Sequence, residues 1–180
     1  MRPSAYHTTL TLTLTIMLAL AGCSGGKTQT SATRTQVLPT SSTTTSQQAT
    51  AAALERSART AVLEDHHVLV RALVTNFVPE TPPGTAGPAL ASLRKSVAER
   101  QQQKVRVRIL SDSFRVLTVA LDPSFTSATA TILDTQRVLP TYPNGRPRGS
   151  PSAAHERARL ELRRIGDSER FVVWKVTLLK

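Results

Sequence analysis

The spacing of apolar residues along this chain changes from three or four to two, and the change falls near residue 104. From Gln47 to Phe77 the sequence is alanine-rich and free of proline. Leu54, Ala58, Ala61, Val62, Leu69, Ala72 and Leu73 recur there at three- and four-residue intervals, the repeat of a helix with one apolar face. A break is expected near His66 and His67, because Val68-Leu69-Val70 is also good strand material. Val78-Pro79-Glu80-Thr81-Pro82-Pro83-Gly84 reads as a stop and a loop. A second helix is predicted over Pro88 to Gln103, with Leu90, Leu93, Val97 and Ala98 on its apolar side.

Beyond that point Val105, Val107 and Ile109 alternate with Lys104, Arg106 and Arg108, which predicts a half-buried strand. Phe114 to Leu121 predicts the next strand, and Asp122-Pro123-Ser124 a turn. Thr126 to Leu139 predicts a long third strand in which Ala128, Ala130 and Ile132 share a face. Residues 140–151 hold four prolines and two glycines and read as a loop. Arg157, Arg159, Glu161 and Arg163 then alternate with Ala158, Leu160 and Leu162. After a turn at Gly166-Asp167-Ser168, the last strand runs from Phe171 to Leu179, with Val172, Trp174, Val176 and Leu178 on one side. Helices followed by a run of antiparallel strands define an α+β fold.

The N-terminus has a different character. Arg2 precedes an apolar run from Leu10 to Leu20, and Ala21-Gly22-Cys23 follows, the three parts of a secretory signal. Leu10 to Gly22 is 13 residues, or about 20 Å of helix. A bilayer core needs about 20 such residues, so the run is too short to span comfortably. Leu20-Ala21-Gly22-Cys23 resembles the lipobox of bacterial lipoproteins, and the only cysteine of the chain falls on the position that motif requires. The resemblance implies cleavage before Cys23 and a diacylglyceryl thioether on its sulfur, with the membrane as a partner. Two acyl chains anchor stably where one is marginal.

From Ser24 to about Thr50 the composition falls to Thr, Ser, Gln, Ala and Gly, with Lys27 and Arg34 the only charges. Such a segment has too little apolar surface to offset the entropy of ordering. The expected organisation is a signal over 1–22, a disordered tether over 23–49 and an α+β domain over 50–180. As a flexible chain the tether reaches about 25–30 Å, enough to lift the domain off the lipid on the outer face of the cell membrane.

The chain of 180 residues carries a formal net charge of +11, with arginine outnumbering lysine 18 to 5. One cysteine excludes an internal disulfide framework and a cysteine-rich zinc module. Lys104, Arg106 and Arg108 on one strand, and Arg157, Arg159 and Arg163 on another, are candidates for contact with anionic headgroups or acidic polymers. Nucleic acid is not expected, since the lipobox places the domain outside the cytoplasm.

The order helix, helix, long strands, ending in Trp174-Lys175-Val176, resembles the nuclear transport factor two-like domains. It is similar in particular to extracytoplasmic members such as the actinobacterial Mce-associated proteins, which share a glycine-containing loop like Asn144-Gly145-Arg146-Pro147. The resemblance implies helices packed on a strongly curved, cystatin-like cone of sheet. A cone of this kind implies an apolar interior, with Ile132, Leu160 and Trp174 as lining and Asp134 pointing inward. Isomerases of this fold use an inward aspartate as base, so an isomerase- or dehydratase-like enzyme centred on Asp134 is the alternative to a non-catalytic accessory or binding module of the envelope. That module would hold an apolar ligand or a protein partner. An enzyme would need a second titratable group beside Asp134, and the only tyrosine after Cys23, Tyr142, lies in a proline-flanked loop. Asp65-His66-His67 is the one histidine cluster, but neighbours on a helix diverge by about 100°. No pair of histidines stands at the i, i+4 spacing of a helical metal motif, so neither a metal nor another cofactor is expected.

Overall fold

A computed structural model describes residues 42–166 and 168–179. The signal-like segment, Cys23 and the tether as far as residue 41 lie outside the described residues. Two helices, α1 (Ser42–Thr75) and α2 (Gly87–Gln102), precede four strands, β1 (Arg106–Leu121), β2 (Ser127–Thr141), β3 (Ser152–Arg164) and β4 (Phe171–Leu179). The strands pair in the order β1-β2-β3-β4, each antiparallel to the next. The chain is thus an α+β domain, two helices packed on a four-stranded antiparallel sheet.

Alternation along the strands decides which side the helices cover. Ala128, Ala130 and Ile132 of β2 stand in register with Leu162, Leu160 and Ala158 of β3. All of these are buried, and they pack with Leu54, Ala58, Ala61 and Val62 of α1 and with Phe171 and Val173 of β4. Alanine on both sides of the seam lets the helix come close to the sheet. Phe114, Val116, Val119 and Leu121 of β1 close the flank of this core.

Several local expectations are corrected. The two strands predicted on either side of Ser111-Asp112-Ser113 form one strand of 16 residues. Its register to β2 shifts between Ile109 and Ser111 and again between Val116 and Thr118. Each shift is a bulge that bends and twists the strand without ending it. Lys104 is not on that strand. It follows α2 with φ 52°, its N–H donating to the Gln101 carbonyl. Helix α1 is unbroken through His66 and His67, since Val68 and Ala72 continue the buried stripe. It also begins at Ser42, inside the segment read as tether. Threonine and serine nucleate helices poorly, but a helix already fixed by packing propagates one hydrogen bond at a time. In β4 the expected face is interrupted too: Leu162 pairs with Val173 but Glu161 with Lys175, so Trp174 is the extra residue of a bulge.

Two devices hold the helices to the sheet. Asn76, at φ 53°, ends α1, donating from its backbone N–H to the Ala72 carbonyl and from Nδ2 to the Val105 carbonyl at 2.6 Å. The stretch from Gly84 to Ala86 runs alongside β4: Val173 N–H donates to the Gly84 carbonyl at 2.7 Å and Ala86 N–H to the Val173 carbonyl at 3.0 Å. Gly84 has φ +71°, and a Cβ there would stand 2.6 Å from the Ala61 carbonyl oxygen and 2.7 Å from the Asp65 nitrogen. Backbone cannot retreat as a flexible side chain would. Gly84→Ala is therefore expected to cost at least about 2–3 kcal/mol, read as a lowered urea midpoint. A midpoint equal to the wild type would show that the loop is free to move off α1.

Candidate functional site

Where the alanine seam ends, polar residues take over the helix-facing side of the sheet. Asp112 of β1 pairs with Gln136 of β2, and Phe114 with Asp134, so all four project toward α1. Asp134 is flanked on β3 by Glu156. His66 enters this patch from α1, its ring stacked on Phe114 with centroids 4.0 Å apart and planes inclined by 16°. Its Nε2 meets Asp112 Oδ2 at 3.0 Å, while Asp112 Oδ1 accepts from Gln136 Nε2 at 3.3 Å. The ring's Nδ1 stands 4.0 Å from Asp134 Oδ2. The side chains of His66, Asp134 and Asp112 are 8%, 18% and 29% exposed, so the site opens outward through Asp112.

Asp134 is the least satisfied member. Its Oδ1 is buried and accepts no hydrogen bond from any described residue. Burial pushes its carboxyl above the usual carboxylate range; His66 pulls it partly back, and the Asp112 and Glu156 carboxylates add to the rise. Among the described residues no lysine or arginine lies within ion-pair distance of Asp112, Asp134 or Glu156. In a chain with 18 arginines that is a notable omission.

The opposite side of the sheet has the reverse composition. Arg106, Arg108 and Arg115 of β1, Arg137 of β2, and Arg157, Arg159 and Arg163 of β3 alternate with the helix-facing residues and are exposed. Arg115, Leu133, Arg157 and Leu179 form one register row across all four strands. Arg159 lies in the next row, with Thr131 and Thr177 beside it. The arginine stripes of β1 and β3 are separated by β2, so they stand about 10 Å apart at two strand spacings. Among the described residues Glu161 is the one acid of the strands on this side, and it is paired with Lys175 at 3.2 Å. Among the described residues Arg106, Arg108, Arg115, Arg137, Arg157 and Arg159 have no carboxylate within ion-pair distance.

The residues expected to line an apolar interior do not converge. Ile132 and Leu160 belong to the packed core, at 8% and 1% exposure. Trp174 is outside that cluster: its ring lies against Gly87, where a Cβ would come within 2.7 Å, and the Arg163 guanidinium sits 4.5 Å over it. Lys104 is separated from the strand arginines by the turn after α2. His66 with Asp112 went unseen in the sequence, being 46 residues apart. The available signal was that Asp112, Asp134 and Gln136 fall in phase with the apolar positions of their strands.

No protein-family profile and no curated protein matches the chain. Among solved structures it is similar to the intermembrane space region of the chloroplast protein ARC6, with a TM-score of 0.53 and 15% identity over 69% of this chain and 95% of that one. At that identity the similarity concerns the fold, an α+β sheet domain. A protein from Catenulispora acidiphila aligns at 17% identity over 77% of this chain and 92% of its own, with a TM-score of 0.29, too low to bear on the fold.

Beside His66, Asp65 anchors the loop alongside β4: its Oδ1 accepts from Thr85 Oγ1 at 2.6 Å. Burial pushes its carboxyl up to about 6, against the opposing pulls of the Thr85 hydrogen bond and His66. A carboxyl with a folded pKa above the unfolded value of about 3.9 binds its proton more tightly when folded. Its stabilising contribution is fully present below about pH 4 and is lost as pH rises through about 6. Asp65→Asn keeps an acceptor for Thr85 and is expected to flatten the decline in stability over that window. Urea unfolding of variant and wild type at a series of pH values isolates this group from Asp134, which acts in the same direction, and from Asp122, which acts oppositely. An unchanged slope would put the Asp65 carboxyl near its ordinary value.

Proposed function

We propose that this protein is a lipid-anchored module on the outer face of the cell membrane, a non-catalytic accessory of the envelope that rests its arginine sheet face on anionic headgroups. The observation that carries this reading is the face itself: among the described residues, a sheet side with exposed arginines on three strands and its one acid already paired. The lipobox resemblance at Leu20-Ala21-Gly22-Cys23 supplies the anchor, and the tether from Ser24 to residue 41 contains no Asp or Glu. That stretch therefore cannot neutralise the face, and it adds Lys27 and Arg34 to the attraction. An anchored domain also meets the membrane at high effective concentration, so weak individual contacts suffice. The finer architecture belongs to the same proposal: the domain is a nuclear transport factor two-like cone, related to the Mce-associated proteins.

The enzyme reading centred on Asp134 is the second one, and it is favoured by the arrival of His66 next to that carboxylate. Direct proton exchange between them needs a separation of about 2.6–3.2 Å, whereas the observed one is 4.0 Å. The ring's other nitrogen is engaged by Asp112.

Cys23→Ser is expected to abolish incorporation of labelled fatty acid and to move the protein from the membrane to the soluble fraction; retention in the membrane would remove the lipid anchor from the proposal. With that unlipidated chain, Arg115→Gln, Arg157→Gln and Arg159→Gln together are expected to weaken cosedimentation with phosphatidylglycerol vesicles. At about 1 kcal/mol per basic residue, the loss is about 100-fold. Binding should fall with added salt and be absent on phosphatidylcholine vesicles. Equal binding to both vesicle types would overturn the headgroup reading.

A further inference from the structure

We propose that His66, Asp112 and Asp134 form a binding site for one divalent transition-metal ion, with zinc the ion they fit best. Three features carry the assignment. One ligand atom from each side chain lies within 4.8 Å of the other two. Atoms bound tetrahedrally to a common zinc at about 2.1 Å stand about 3.4 Å apart, so the ion has to draw the widest pair together by up to about 1.4 Å, within the reach of an aspartate rotamer adjustment. The closest pair, His66 Nε2 and Asp112 Oδ2 at 3.0 Å, already subtends about a right angle at such an ion.

The second feature is the orphaned oxygen. Asp134 Oδ1 is buried without a hydrogen-bond donor among the described residues, and a buried carboxylate oxygen left unpaired is costly. The third is the missing counter-charge: Asp112 and Asp134 flank the His66 imidazole, Glu156 neighbours Asp134 on β3, and no arginine or lysine is in ion-pair reach of the three among the described residues. A cation satisfies both. One imidazole nitrogen and two carboxylates make a ligand set of intermediate hardness, suited to zinc and poorly suited to magnesium, which favours oxygen ligands and water. The remaining supports are in place as well. Phe114 stacks on the ring and fixes its plane, and Gln136 holds the second oxygen of Asp112. Outer partners of this kind orient ligands in established metal sites. Metal binding replaces the hydrogen bond between His66 and Asp112 and releases its proton. Three protein ligands leave a fourth position, on the open Asp112 side, for water or an external group.

The test uses the full-length chain in detergent, without a histidine tag and stripped with EDTA, titrated with zinc chloride by calorimetry. The expected result is one zinc per chain, with Asp112→Asn and Asp134→Asn each weakening binding at least tenfold. His155→Ala should leave the affinity unchanged, and excess magnesium should not displace the zinc. Circular dichroism checks that each variant is folded; Asp112, at the open side, carries the test should Asp134→Asn unfold the chain. Absence of binding up to about 1 mM zinc, binding that Asp112→Asn leaves intact, or displacement by magnesium would each overturn the proposal. The arginine face lies on the other side of the sheet, so either result leaves the membrane reading to its own experiments.

Discussion

Everything in this domain depends on how closely α1 lies against the sheet. Ala58 and Ala61 on the helix are buried, and they pack in one cluster with sheet positions that are also small, Ala128, Ala130 and Ala158. Small residues on both sides remove the usual spacer of large side chains, so the helix backbone approaches and the contact gains its dispersion energy through many short contacts. Leu54 and Val62 with Leu160 and Leu162 fill the volume that remains. A closely approached helix has little freedom to roll. That fixes which residues of its next turns face the sheet, and it delivers His66 to Phe114.

The same close approach makes the loop before α2 intolerant of side chains. Gly84 meets the α1 backbone between Ala61 and Asp65, and Thr85 ties itself to Asp65. The loop then continues β4 sideways through its backbone hydrogen bonds. Covering the sheet edge in this manner limits open-ended pairing of β4 with another chain. The β1 edge is protected differently, by two bulges and by arginine.

Much of this architecture can be read directly from residue spacing, and the failures have identifiable causes. The α+β order and the alternation in β2 and β3 are plain, because a half-buried strand must repeat every two residues. The continuity of β1 is not, because Ser111-Asp112-Ser113 has the composition of a turn while its bulges keep it paired with β2. Nor is the partnership of His66 with Asp112 and Asp134, which comes from three separate elements. Reading along one helix, His66 and His67 diverge and neither has a partner at i+4. Only the register of β1 on β2 shows that two carboxylates wait opposite one of them.

That register also explains how a strongly basic chain keeps a group of unneutralised carboxylates. Successive residues of a strand project to opposite faces, so charges that are neighbours in sequence are partitioned by the sheet. Glu156 and Arg157 are adjacent, yet one stands beside Asp134 on the helix-facing side and the other beside Leu133 on the opposite side. Arg115 is one residue from Phe114 and is equally cut off from the Asp134 that Phe114 faces. A single layer of strand backbone therefore separates positive from negative across one sheet. Each face is left with a charge that its own described side chains do not cancel, and that shared imbalance is what both proposals rest on, a metal ion at His66 on one side and an anionic surface on the other.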